Sequence, residues 1–285
     1  MQVRSHSLDA EICLSNDALH FFPCLSFSRL TLSSLTTHPD SYDPVYLVVG
    51  GSGGIGSEVC RRLRKKQARV VAAGRTEETL SDLAADVGVD PVVFDATSPE
   101  QVRGAFEEIA LRYEQIDGVV HCVGSILLKP AHLTSDGEWD STMTQNLYSA
   151  FHVLRASARS MMRTGGGSIV LISSAAARVG LPNHEAIAAA KAGIIGLALS
   201  AAATYASKNI RVNVIAPGLV RTSLTAGLTA NEATLKTSTA MHALGRIGEP
   251  SYVASGIEWL LDPQQSWITG QVLGIDGGLS GVRPR

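Results

Sequence analysis

The first legible chemistry lies in a glycine run, Gly50-Gly51-Ser52-Gly53-Gly54-Ile55-Gly56. It follows the apolar stretch Val45-Tyr46-Leu47-Val48-Val49 and precedes a helical period opening at Ser57-Glu58-Val59-Cys60. Glycines at this spacing allow a tight turn and a close backbone approach, and the free amides at the helix start attract negative charge. Gly51, Gly53 and Gly56 fit G-x-G-x-x-G, while Gly50, Gly54 and Gly56 fit G-x-x-x-G-x-G. Either pattern alone also describes a glycine-rich turn with no ligand. A strand before it and a helix after it supply the context in which such a loop cradles a pyrophosphate. Gly50, Ser52, Gly53, Gly54, Ile55 and Gly56 are therefore expected to bind a dinucleotide mainly through the backbone.

The end of the second strand refines that expectation. An acid there would hold the ribose hydroxyls of NAD(H), but the sequence reads Ala72-Ala73-Gly74-Arg75-Thr76. Gly74 leaves room, and Arg75 offers a planar cation suited to a 2′-phosphate, so NADP(H) is favoured, with NAD(H) as the second choice. Arg75 could equally be an exposed residue at a helix start.

These residues need a frame to position them. From Val45 onward, short apolar runs alternate with longer helical stretches, the pattern of a parallel sheet covered on both faces. Strands are expected at 45–49, 68–73, 91–94, 118–122, 168–172, 210–215 and 272–275. Helices are expected at 55–66, 77–87, 99–112, 139–162, 184–206 and 250–261. Right-handed crossovers make this a Rossmann-type, doubly wound, seven-stranded parallel sheet with helices on both faces, one α/β domain over residues 45–285. Residues 1–44 are rich in Ser, Thr and Leu without a sustained period, and read as an N-terminal extension, either a disordered tail or a targeting segment.

The 285 residues carry a formal charge of -2, with one basic run at Arg61, Arg62, Arg64, Lys65 and Lys66. That run suits the last turns of a helix better than a nucleic-acid surface, so no nucleic-acid partner is expected. The cysteines Cys13, Cys24, Cys60 and Cys122 form no C-x-x-C pair, and no histidine spacing suits zinc. Neither a disulfide framework nor a metal site is indicated, and a reducing compartment fits. The longest apolar stretch, 194–206, is short of a bilayer's thickness, so no membrane span is expected. A soluble intracellular protein follows, cytoplasmic, or in an organelle such as the plastid if residues 1–44 are a transit peptide.

With loop, order and spacing in place, residues 45–285 resemble the short-chain dehydrogenase/reductases, in particular the ketoacyl-reductase-like branch. The resemblance places Asp95 at the adenine-contacting acid and Gly124 at the last position of an Asn-Asn-Ala-Gly motif that here reads His121-Cys122-Val123-Gly124. It places Asn146 at the asparagine that supports a water chain to the active-site lysine. Ser174 matches the substrate-orienting serine and Lys191 the lysine that binds the nicotinamide ribose. Pro217 and Gly218 close the sixth-strand signature, and Thr222 matches the residue contacting the carboxamide. A small-molecule carbonyl or alcohol substrate, and a homodimer or homotetramer, are what the resemblance implies.

One position departs from that pattern. The family's tyrosine, four residues before the lysine, falls at Ile187, which cannot exchange a proton. The nearby Tyr205 and Lys208 are spaced three apart at the end of the helix and do not replace it. His184, one turn before Ile187, is a candidate proton donor, although a polar residue at a helix start is the plainer reading. His121 and Cys122 read more readily as strand-end residues. Two functions follow: an NADP(H)-dependent oxidoreductase with an atypical site, or an NADP(H)-binding sensor, scaffold or partner subunit without turnover. The segment 219–244 is expected to be a long lid-like loop, and its few charges suggest a neutral or mostly apolar substrate.

Overall fold

Val45, Leu47 and Val49 point to one side of the first strand and Tyr46 and Val48 to the other, and both sets are buried. A strand apolar on both faces must lie inside a sheet that is covered twice. The computed structural model describes residues 43–282. In it β1 (Val45–Val49), β2 (Arg69–Gly74), β3 (Asp90–Val93), β4 (Gly118–His121), β5 (Gly167–Ile172), β6 (Ile210–Pro217) and β7 (Val272–Ile275) form one sheet. The strand order is β3-β2-β1-β4-β5-β6-β7, and every pairing is parallel. The chain therefore winds outward from β1 in both directions, and the point where it reverses, between β1 and β4, opens a crevice at the strands' carboxyl ends.

Helices α1 (Gly54–Lys65), α2 (Glu77–Val87), α3 (Pro99–Arg112), α4 (Asp136–Met143), α5 (Ser149–Thr164), α6 (Glu185–Tyr205), α7 (Ala226–Ala230), α8 (Glu232–Met241) and α9 (Pro250–Leu261) complete the order. Two apolar clusters sandwich the sheet. One gathers Phe106, Ile109, Met161 and Ile194 from α3, α5 and α6; the other gathers Val59, Leu80, Ile257 and Leu260 from α1, α2 and α9. The expected strand boundaries move by one or two residues, and the fold class stands as expected.

Three expectations are corrected. The single helix expected at 139–162 begins earlier, at a Ser135 capping box with Glu138, and is interrupted by a π-turn at Thr144–Tyr148. Side chains hold that turn: Asn146 Nδ2 donates to the Thr142 carbonyl at 2.9 Å, and Ser149 Oγ donates to that of Gln145 at 2.8 Å. The segment 219–244 is mostly helical, because Asn231 caps α8 and Thr225 ties the turn before α7. The stretch Glu185–Lys208 is long and apolar enough to cross a membrane. The sequence expectation counted only 194–206, interrupted by Gly196, Ser200 and Thr204, and missed the alanines around Lys191, so the length of the apolar stretch is what is corrected. Ala186, Ala190, Ile194, Ala198 and Ala202 are buried in the protein, which makes α6 a core helix.

Three of the five cations in the basic run at the end of α1 are paired with acids. Arg62 and Lys66 both meet Glu258 of α9, the latter at 2.7 Å, and Arg61 meets Asp86 at 3.0 Å. The extension to residue 42, with Cys13 and Cys24, lies outside the described residues.

Candidate active site

The glycine run turns the chain out of β1 and into α1. Gly50 has φ +81°, and a Cβ on Gly56 would stand 2.1 Å from the Gly50 carbonyl oxygen, so no larger residue fits there. Gly53 caps α1 with no side-chain bond, and the first turn carries no acid. The leading amides thus present uncompensated positive charge to the crevice.

A cleft of about 270 Å³ lies over this turn, lined by Gly50, Ser52, Gly53, Gly54, Ile55 and Gly56. Its walls include Arg75 after β2, Asp95 after β3, Gly124 after β4 and Thr222 after β6. Arg75 is exposed at the rim, and among the described residues no acid pairs with it. Asp95 Oδ1 accepts from both Thr97 N and Thr97 Oγ1 at 2.8 Å, which fixes the carboxylate at the lip. A Cβ on Gly54 would meet Thr222 Cγ2 at 2.8 Å, so the glycine loop and the segment after β6 close against each other.

Gly124, Asn146 and Lys191 come together beneath this cleft. A Cβ on Gly124 would lie 2.8 Å from Asn146 Oδ1 and 3.2 Å from Lys191 Nζ. Asn146 is held in the π-turn, its Oδ1 accepting from Ser125 N at 3.2 Å and its Nδ2 donating to Ser125 Oγ at 3.0 Å. Lys191 is buried and donates from Nζ to the Ile172 carbonyl at 3.0 Å. Burial lowers its pKa to about 8, with the neighbouring Cys122 thiol acting in the opposite direction.

A second, larger cleft of about 510 Å³ opens beyond β5 and β6. Ser174, His184 and Ile187 line it together, as does Gly218, facing α7 and α8. Ser174 Oγ accepts from Ala176 N at 3.1 Å, leaving its own hydrogen free to donate. His184 Nδ1 lies 2.7 Å from the Pro182 carbonyl, so that nitrogen carries the hydrogen and Nε2 keeps its lone pair. Ile187 is buried at the same wall. Pro217 ends β6, while Gly218 belongs to this cleft and not to the dinucleotide cleft. Lys191 lines neither cleft surface directly.

His121 and Cys122 resolve as strand-end residues. His121 Nε2 donates to Ser149 Oγ at 3.0 Å, since that hydroxyl spends its own hydrogen on a carbonyl. His121 Nδ1 has no partner. Burial, aided by the Lys191 charge, lowers the imidazole pKa to about 3, and burial pushes the Cys122 thiol up to about 12. A neutral imidazole and an inert thiol result.

Sequence reasoning missed His242. This buried imidazole donates from Nδ1 to the Ser238 carbonyl at 2.6 Å and accepts the Leu219 amide on Nε2 at 3.2 Å, pinning α8 to the loop after β6. Its partners are close only in space, apart from Ser238, so no spacing announced it.

A winding parallel sheet, a glycine loop at its reversal point and a serine and buried lysine beside it define a class, and the chain belongs to it: it is a short-chain dehydrogenase/reductase, an oxidoreductase family. The family described as enoyl-(acyl carrier protein) reductase matches residues 50–280. A 3-oxoacyl-[acyl-carrier-protein] reductase of Thermotoga maritima is 34% identical over 242 residues, covering 82% of this chain and 97% of its own. A short-chain type dehydrogenase/reductase from Mycobacterium ulcerans superposes with a TM-score of 0.82 at 32% identity, over 85% of this chain and 91% of that one. Actinorhodin polyketide ketoreductase, solved as a variant with NADPH, superposes at 0.80 with 28% identity, over 84% and 98%.

Proposed function

We propose that the protein is an NADP(H)-dependent oxidoreductase that moves a hydride between nicotinamide C4 and a carbonyl or secondary alcohol, at a site where Ile187 replaces the usual tyrosine. The observation that carries this reading is the presence of two separate clefts along one sheet edge: an anion-binding turn with Arg75 at its rim, and Ser174 and His184 around an open cavity. The backbone amides of the glycine turn bind the pyrophosphate, and Arg75 faces the 2′-phosphate. Asp95 and Thr222 flank the adenine and carboxamide ends. Lys191 holds the ribose, supported by Asn146, and Ser174 donates to the substrate oxygen. NADPH in a structurally similar ketoreductase supports the cofactor choice. The bound cofactor supplies the hydride.

Ile187 offers no proton, so the proton on the product oxygen comes from elsewhere. His184 stands in the same cleft and supplies a proton from Nε2 once that nitrogen has taken one up from solvent, and a water chain toward Lys191 through Asn146 is the second source. Positioning alone still accelerates hydride transfer, whereas loss of a general acid costs roughly 10²- to 10⁴-fold, so turnover is slow.

One observation favours a second reading: Ile187 is buried and aliphatic where proton chemistry is needed, while the dinucleotide cleft has all its parts. On that reading the chain is an NADP(H)-binding sensor, scaffold or partner subunit. NADPH consumption against ketones, quinones and keto-thioesters, with wild type beside Ile187→Tyr and binding followed by cofactor fluorescence, separates them. Turnover by wild type supports the oxidoreductase. Binding without turnover, with activity gained in Ile187→Tyr, supports the second reading.

The proposed catalytic domain begins near residue 45, with the preceding segment as an extension, and removing residues 1–42 is expected to leave NADPH affinity unchanged in a fluorescence titration. Assembly as a homodimer or homotetramer is part of the proposal, supported by exposed Tyr148, Phe151 and Met162 on and next to α5 and Leu199 on α6. Light scattering tests it.

A further inference from the structure

The cleft beside Ser174 has a composition that the sequence did not make visible, because it is assembled from segments far apart in the chain. Among the described residues, no Asp, Glu, Lys or Arg lines it. Ile126 and Leu128 after β4, Leu181 before α6, Leu228 on α7, Met241 on α8 and Leu279 near the end of the described chain form its apolar walls. Ile187 adds an alkyl group where a phenol would have been polar. Three of its polar side chains are already engaged. Thr225 Oγ1 donates to the Val220 carbonyl at 2.5 Å and Thr237 Oγ1 to that of Ala233 at 2.9 Å. Both nitrogens of His242 are committed to Ser238 and Leu219. The polar groups left to the cleft are the Ser174 hydroxyl, His184 Nε2 and the Asn183 amide, with the neutral Thr234 and Ser238 of α8, and none of them carries a fixed charge.

From this we infer that the substrate is an uncharged ketone with a mainly apolar body, a cyclic or aryl-alkyl carbonyl compound small enough for about 510 Å³. The inference rests on the reading of this cleft as the carbonyl site. A carboxylate or phosphate would lose its hydration with no cation to meet it, and a sugar would bring more hydroxyls than the cleft can satisfy.

The test titrates NADP⁺-loaded and unloaded full-length protein with 4-phenyl-2-butanone, its para-carboxylate and fructose, by calorimetry. The neutral ketone is expected to bind at least ~30-fold more tightly than the carboxylate and than fructose, the scale of about 2 kcal/mol for an unmet polar group. Met241→Arg places a cation in the wall and is expected to raise carboxylate affinity at least about tenfold, on the scale of a charge-assisted hydrogen bond. Equal or stronger binding of the carboxylate or fructose by wild type overturns the inference, as does absence of ketone binding. No gain by Met241→Arg overturns it too, because the ligand then sits elsewhere. A failure of NADP⁺ to bind, with ketone selectivity intact in unloaded protein, would defeat the functional reading and leave the inference standing.

Discussion

The cleft proposed for the dinucleotide and the cleft proposed for the substrate share the carboxyl edge of one sheet, yet they are built from different materials. The first is centred on backbone, glycines and helix-start amides, with side chains such as Arg75, Asp95 and Thr222 in the surrounding walls. The second is made almost entirely of side chains, delivered by α6, α7, α8 and the loops beside them. Backbone recognition of phosphate needs only that a turn be tight, so it depends on whether a side chain is absent. Proton transfer needs one particular atom in one place, so a single substitution removes it. Ile187 lies on the side-chain half, and the backbone half is complete. On the proposed reading, that difference would let a chain keep the parts for holding a nicotinamide dinucleotide while departing from the usual proton chemistry.

The comparison breaks most visibly at the tyrosine position. Ile187→Tyr is expected to raise ketone-dependent NADPH oxidation by roughly 10²- to 10⁴-fold with little change in NADPH affinity, read by steady-state kinetics and fluorescence titration. The reciprocal change, Gly56→Ala, drives a methyl into the Gly50 carbonyl and is expected to weaken NADPH binding by more than about 100-fold, the consequence of distorting a turn that binds through its amides. If Gly56→Ala binds normally, the backbone half is misassigned.

Arg75→Ala sharpens the contrast within the dinucleotide cleft. It is expected to weaken NADPH by about 10- to 100-fold, the worth of a charge-assisted contact, and to leave NADH unchanged. Equal losses for both cofactors would remove the 2′-phosphate assignment.

The smallest effects are in pH. Lys191 is charged below about 8 in the folded protein, so cofactor affinity is expected to fall as pH rises through 8. For stability the sign is opposite. Between about 8 and the ordinary lysine value the unfolded chain holds the extra proton, so this group's contribution to stability rises with pH. His121, with its pKa lowered to about 3, stays neutral where the unfolded histidine protonates, so its contribution is lost as pH falls from about 6.5 toward 3. His121→Asn is expected to flatten the acid side of a melting-temperature profile.

Much of this was legible in the sequence because the signals are local. The glycine run, the apolar strands and the helix periods each declare themselves within a few residues, and seven strands in a doubly wound topology followed from their alternation. The π-turn at 144–148 was not legible, since the helical period runs through it and only the side-chain capture of carbonyls by Asn146 and Ser149 breaks the ladder. The helices in 226–241 were hidden by threonines and alanines with no strong period. His242 was invisible because its function as a pin depends on Leu219, 23 residues away.

The most direct measurement is transfer of the label itself. Wild-type protein loaded with NADPH deuterated at nicotinamide C4, on each face in turn, is mixed with a neutral aryl-alkyl ketone, and the alcohol is analysed by mass spectrometry. The account predicts one deuterium in the product from one face of the cofactor, at a rate lowered by His184→Ala. Tight NADPH binding with no deuterated alcohol from wild type, but transfer by Ile187→Tyr, would contradict it and make this chain a cofactor-binding protein that does no redox chemistry.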